Sequence, residues 1–282
     1  MTSLAVTALQ YRQNPPDVEG QGPFRYRLLA EGDSWMDKSG PALGALPQFL
    51  AEEMNRQRQS VLIINISTAG DTLRRITHVM QGEFGWWLDQ FRYDGILLSA
   101  GGNDFIDAAR DPDPGRGILR DMAGQALPGD GYDCVNQQAL AKLIGRYLKP
   151  NFATVYGAIR SHPLNAATLI FLNSYDTPTA RNAPAAPGTG PWLYAAYTKN
   201  HIDDRLWPAL TEGIFRDIEQ TIGGWCTGRS QVYAVPTSGV LTAAPPATSG
   251  SRGDWANEIH PNKSGWRKLA RVWAQELASR LP

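Results

Sequence analysis

Apolar residues along this chain gather into short unbroken runs, and between the runs they recur every three or four positions. The runs predict strands at residues 25–30, 61–66, 96–98, 168–172 and 232–235, because a strand buried on both faces needs no alternation. The spaced stripes predict helices. Residues 46–58 form one. Ile202, Leu206, Leu210, Ile214, Ile218 and Ile222 mark another, which Pro208 must start or kink. Trp266, Leu269, Trp273 and Leu277 mark a last helix after Pro261. Leu140, Leu143, Ile144 and Tyr147, followed by Phe152, Val155, Tyr156 and Ile159, predict a pair of helical turns around Pro150. Continuous strands separated by helices imply an α/β fold with a parallel sheet covered on both faces.

Three segments break this pattern. Residues 110–133, 177–192 and 236–253 are rich in Pro and Gly with Asp or Ala, and loops this long tend to carry function. Each follows a strand run, directly or after a brief motif, which places it on the edge where open α/β sheets bind ligands. Residues 1–23, with Pro15, Pro16, Gly20 and Gly22, read as an irregular N-terminal arm. Residues 24–282 then read as one catalytic domain carrying the three loops as insertions.

Composition narrows the classes. Of 282 residues 42% are hydrophobic, and Lys+Arg and Asp+Glu both number 27, so no basic excess points to nucleic acid. No apolar run approaches the ~18 residues of a membrane span, which argues against integral membrane contact. The first dozen residues lack the basic start of a secretory signal, so a cytoplasmic protein is expected. Cys134 and Cys226 are expected as free thiols. The four histidines are scattered and no HExxH or CxxC occurs, so neither a metal nor another cofactor is expected.

The chemistry lies in four short blocks: Gly32-Asp33-Ser34, Gly70-Asp71, Gly102-Asn103-Asp104 and His260-Pro261. Ser34 ends a strand run, where a turn exposes a nucleophile; Asp33-Ser34 is equally a plain turn or helix cap. Gly70 permits a tight turn with an outward amide. Asn103 follows two glycines that let backbone approach a ligand, and its side chain can donate to an oxyanion. His260 occupies the last strand-to-helix loop. A serine, two oxyanion donors and a base make a kit for acyl transfer at an ester.

In this order the four blocks resemble the SGNH branch of the GDSL esterase/lipase superfamily, over residues 28–270. The resemblance implies a three-layer α/β/α fold of flavodoxin-like type with a five-stranded parallel sheet. It implies that Ser34 is the nucleophile and donates its amide to the oxyanion hole, with Gly70 and Asn103 as the other donors and His260 as the base. One position departs from it. The superfamily usually has Asp three residues before the histidine, where this chain has Asn257. Asn accepts a hydrogen bond from the imidazole but brings no charge. Asp254 and Glu258 are nearby alternatives, and a Ser–His dyad helped by Asn257 is the first choice. Trp35, Tyr175, Trp86 and Trp87 either line a cleft or belong to the core.

The function these residues imply is hydrolysis of a carboxylic ester through an acyl-enzyme, on a small-molecule, carbohydrate or lipid substrate. An O-acyltransferase would use the same residues. A binding protein with a decayed site is suggested by Asn257. A metallophosphoesterase shares Gly-Asp and Gly-Asn-Asp-like motifs but needs several ligand histidines.

Overall fold

The computed structural model describes residues 2–37, 44–78 and 81–282. Its sheet is all-parallel, with six strands among the described residues: β1 (Leu4–Thr7), β2 (Tyr26–Gly32), β3 (Val61–Asn65), β4 (Gly95–Ser99), β5 (Leu169–Asn173) and β6 (Val232–Val235). The spatial order is β1-β3-β2-β4-β5-β6. Every residue of β3 and β4 is buried, which is why both read as unbroken apolar runs.

The sixth strand corrects the reading of residues 1–23. They are not an irregular arm: they supply β1, which pairs with β3 from Leu4↔Leu62 to Thr7↔Asn65, and the helices α1 (Ala8–Gln13) and α2 (Pro15–Glu19). Thr7 and Gln10 form a reciprocal capping box at the start of α1. Asn14 caps α2, and Pro15 and Pro16 fit its first turn, where no backbone N–H is needed. The two prolines therefore start a helix and do not break one.

From β2 the chain moves outward to β3 through α3 (Leu46–Arg56). It then crosses back past β2 to β4 through α4 (Leu73–His78) and α5 (Gln81–Gln90). Crossovers of one hand in opposite directions put their helices on opposite faces. Accordingly α3 packs on β1 and β3 and against α11 (Lys263–Ala278), whereas α4 packs on a different helix, α8 (Lys149–Arg160). Trp266, Leu269, Trp273 and Leu277 of α11 are fully buried, as their stripe predicts. The remaining helices are α6 (Gly102–Arg110), α7 (Gln137–Lys142), α9 (Leu193–Lys199) and α10 (Trp207–Cys226). Pro208 lies in the first turn of α10, so it starts that helix and leaves it unkinked.

The turns around Pro150 are not separate. α7 runs into α8 through a π-helical stretch, Leu143–Leu148. A proline ring clashes with the carbonyl four residues earlier, and a wider turn relieves that contact. Cys134 and Cys226 are unpaired by disulfide. No helix among the described residues is long and apolar enough to cross a membrane.

The strand order reverses direction between β2 and β4. In open parallel sheets a crevice forms beyond the carboxyl ends of the strands at such a point. β2 delivers Asp33-Ser34 there, β4 delivers Gly101 to Asp104, and β3 delivers the turn holding Gly70.

Candidate active site

Asp33 builds the turn that holds Ser34. Its backbone oxygen accepts the amides of Met36 and Asp37, both at 3.0 Å, and its Oδ1 accepts the amide of Trp35 at 3.0 Å. The turn reading of Asp33-Ser34 therefore holds, and the turn brings Ser34 to the site. Gly32 must be glycine. Its φ is +142°, and a Cβ there would lie 2.2 Å from the Ser99 carbonyl of β4.

Below the turn lies a buried polar network. Asp33 Oδ2 accepts the Tyr175 hydroxyl at 2.5 Å, and Asp33 Oδ1 accepts Ser99 Oγ at 2.9 Å. Asn173 Nδ2 donates to Ser99 Oγ at 3.0 Å. Burial pushes the Asp33 carboxyl up to about 6, and the bonds from Tyr175, Trp35 and Ser99 restrain the rise. The Gly102 amide donates to the Tyr175 hydroxyl at 3.3 Å. Tyr175 thus joins the Ser34 turn to the Asn103 loop. A side chain at Gly102 would meet the Tyr175 ring at 2.8 Å, so the second glycine of the motif is a contact requirement.

His260 Nε2 lies 2.8 Å from Ser34 Oγ, and His260 Nδ1 lies 2.9 Å from Asn257 Oδ1. The same Oδ1 accepts the amides of Ile259 at 3.2 Å and His260 at 3.0 Å. Two backbone donors therefore fix Asn257 with its oxygen toward the ring, which selects the tautomer with Nδ1 protonated. His260 is 1% exposed, and burial pushes its pKa down to about 4. The imidazole is neutral at pH 7, with its Nε2 lone pair facing Ser34 Oγ. The edge of Trp192 packs on the imidazole, with ring centroids 5.2 Å apart.

Neither alternative acid holds the histidine. Asp254 accepts Lys268 Nζ and, at 2.7 Å, the Thr242 amide. Burial would raise its pKa, but Lys268 and Thr242 hold it at about 2. Glu258 is fully buried and faces away from the imidazole. Its two oxygens accept the amides of Arg181, Trp192, Leu193 and Tyr194, fastening the 177–192 loop and the start of α9 to the histidine loop. Arg181, also buried, donates to the carbonyls of Asn257 and Gly250, each at 2.7 Å. Asp176 accepts the amides of Gly239 at 2.8 Å and Leu241 at 2.6 Å, joining the 177–192 and 236–253 loops.

A cavity of about 20 Å³ opens beside Ser34, lined by Trp35, Asn103, Ile106, Tyr175 and Phe215 among others. Asn103 Nδ2 donates one hydrogen to the Asp71 carbonyl at 3.0 Å, which leaves its second hydrogen on the cavity side. Gly70 lies in the exposed turn after β3 and is not among the described residues lining this cavity. Ala69 ties that turn to the Ser34 turn by donating to Asp37 Oδ2 at 2.7 Å. Trp35 and Tyr175 line the cavity and are also core. Trp35 packs edge-on against Tyr175, Trp255 and Trp266. Trp86 and Trp87 belong elsewhere, on α5 beneath Arg12. The sequence reading missed Arg181 and Trp192, and it named Glu258 only as an alternative partner of the histidine, not as the anchor of the 177–192 loop. The only local signal was a buried-type Trp inside a Pro/Ala/Gly-rich loop.

The serine and the histidine meet at the switch point of an all-parallel three-layer α/β/α fold. Two solved structures share it. A family 3 carbohydrate esterase from Clostridium thermocellum superposes with a TM-score of 0.51 at 15% identity, covering 91% of this chain and 96% of its own. The lipase Lip_vut3 from a goat rumen metagenome gives a TM-score of 0.50 at 13% identity, covering 91% and 100%. At these identities the likeness is one of fold. No family model matches the chain, and no curated protein matches it.

Proposed function

We propose that this protein hydrolyses carboxylic esters with short acyl groups through a Ser34 acyl-enzyme. The observation that carries the proposal is the 2.8 Å contact between His260 Nε2 and Ser34 Oγ, with Asn257 Oδ1 holding the other ring nitrogen. His260 takes the Ser34 proton as Oγ bonds to the ester carbonyl carbon. The oxyanion receives hydrogen bonds from the second Asn103 N–H and from the amides of Ser34 and Gly70. His260 then gives its proton to the departing alkoxide. Water, deprotonated by His260, attacks the acyl-enzyme and regenerates Ser34. The cavity beside Ser34 is small, about 20 Å³, which favours a short acyl group.

A fluorophosphonate is expected to add one label, located at Ser34 by mass spectrometry. On 4-nitrophenyl esters, turnover is expected to fall from acetate to longer chains. The absence of a label removes Ser34 as nucleophile and leaves the decayed-site reading in its place, whereas a label on another residue moves the nucleophile there.

Asn103→Ala is expected to lower kcat by about 10²–10³ with little change in KM, because the lost donor acts on the oxyanion and not on the ground-state ester. Steady-state kinetics check this. A pure KM effect would place Asn103 in ground-state binding only.

A further inference from the structure

Helix α6, which carries Asn103, starts without a cap of its own. Its first two residues are Gly102 and Asn103, and Gly101 before them has no side chain to accept an amide. The Gly102 amide donates instead to the hydroxyl of Tyr175, 73 residues further along the chain, at 3.3 Å.

The protons of the buried network leave that hydroxyl free for the task. Tyr175 has one hydroxyl proton, and it goes to Asp33 Oδ2. Ser99 also has one. Its contact to Asp33 Oδ1, at 2.9 Å, is shorter than its contact to the Tyr175 oxygen, at 3.3 Å, so the carboxylate takes that proton too. The Tyr175 oxygen therefore keeps its lone pairs for the Gly102 N–H. A phenol that donates to a carboxylate is itself a better acceptor, which strengthens the bond to Gly102.

The backbone of Tyr175 is held where this bond needs it. Its φ is +60°, a left-handed conformation that a bulky side chain rarely adopts. Its amide donates to Asn173 Oδ1 at 3.3 Å, and its carbonyl accepts the Thr237 hydroxyl at 2.8 Å. The end of β5 and the 236–253 loop thus clamp the residue from both sides. Its ring is buried, edge-on against Trp35 and close against Gly102. A strained residue kept inside a satisfied buried network points to function.

We propose that Tyr175 is a positioning residue for the oxyanion hole: its hydroxyl caps α6 through the Gly102 amide and so fixes Asn103 relative to Ser34. The proposal rests on the ester-hydrolase reading of Ser34 and deepens it. The bond from Asn103 Nδ2 to the Asp71 carbonyl orients the side-chain amide, while the bond from Gly102 to Tyr175 sets the backbone from which it projects. Asp33 holds the Ser34 turn with one oxygen and reaches α6 through Tyr175 with the other. One carboxylate therefore sets both ends of the distance between Ser34 and the Asn103 donor.

The test is Tyr175→Phe, which keeps the ring and removes the hydroxyl. Turnover of 4-nitrophenyl acetate, counted per Ser34 labelled by a fluorophosphonate, is expected to fall about ten- to hundredfold, with KM changed less than about twofold. A loss of folded protein would lower the number of labelled sites and not the turnover of each. In an Asn103→Ala background the same substitution should cost less than about threefold, because the donor it positions is gone; in an Asn257→Ala background it should cost its full factor. Exchange of the Gly102 amide hydrogen should be about tenfold faster in Tyr175→Phe. Unchanged turnover, an effect on KM alone, a full loss in the Asn103→Ala background or unchanged Gly102 exchange overturns the proposal. If the unaltered protein shows no Ser34-dependent cleavage, the hydrolase reading fails and takes this role of Tyr175 with it. If it cleaves and the losses multiply, the hydrolase reading stands and the role of Tyr175 falls alone.

Discussion

Ser34→Ala and His260→Ala are each expected to lower kcat for a short acyl ester by about 10⁶-fold, and the double variant no further. The reason is geometric. Ser34 Oγ and His260 Nε2 share one hydrogen bond of 2.8 Å, and each is idle without the other. A hydroxyl that keeps its proton is a poor nucleophile, and a base without that proton has nothing to remove. What survives is the contribution of the oxyanion donors and of substrate binding. Active-site-titrated turnover numbers for the three variants check this. If the two losses multiply in the double variant, or if His260→Ala keeps appreciable activity, the residues do not act as one unit.

Changes at Asn257 are expected to have the next largest effect. Asn257→Ala leaves the Nδ1–H of His260 without an acceptor and releases the amides of Ile259 and His260. A loss of about 10²–10⁴ in kcat is expected, the upper end corresponding to a base held in the wrong tautomer. Asn257→Asp acts through charge. Burial holds the His260 pKa down at about 4, so the imidazole is neutral above that pH, and the acidic limb of the kcat/KM profile is expected well below the ordinary histidine value of 6.5. A carboxylate at residue 257 stabilises the imidazolium, raises the pKa and moves that limb to higher pH. Asp254→Asn should leave the limb in place, because Asp254 is bound to Lys268 and Thr242. A shifted limb in Asp254→Asn, with little loss in Asn257→Ala, would reassign the partner of His260 to Asp254.

The residues that join Ser34 to His260 were legible because each sits at a strand end or helix start with a short motif around it. Four of the five apolar runs were legible for a related reason, since β2 to β5 are buried along almost their whole length. β1 was not: Leu4-Ala5-Val6-Thr7 is four residues long and only one of them is fully buried, so it carries too little pattern to separate it from a loop. Pro150 suggested a break where the chain instead widens into a π turn, a choice that depends on neighbouring helices and not on the proline alone. Glu258 was weighed as a partner for the histidine because it is close in sequence. Its real partners lie 64 to 77 residues away, and no local period encodes such contacts.

Both described ends of the chain meet at the same edge of the sheet. Ser60 Oγ, just before β3, donates to the Thr2 carbonyl at 2.8 Å, and Arg25, just before β2, donates to the Pro282 oxygen at 2.8 Å. Ser34 lies beyond the opposite ends of the same strands. A bead, a polymer brush or a fused module attached at either end therefore sits a full strand length from the mouth of the cavity. Anchored that way, every molecule in an immobilised layer presents the Ser34 edge to the bulk solution, clear of the linker.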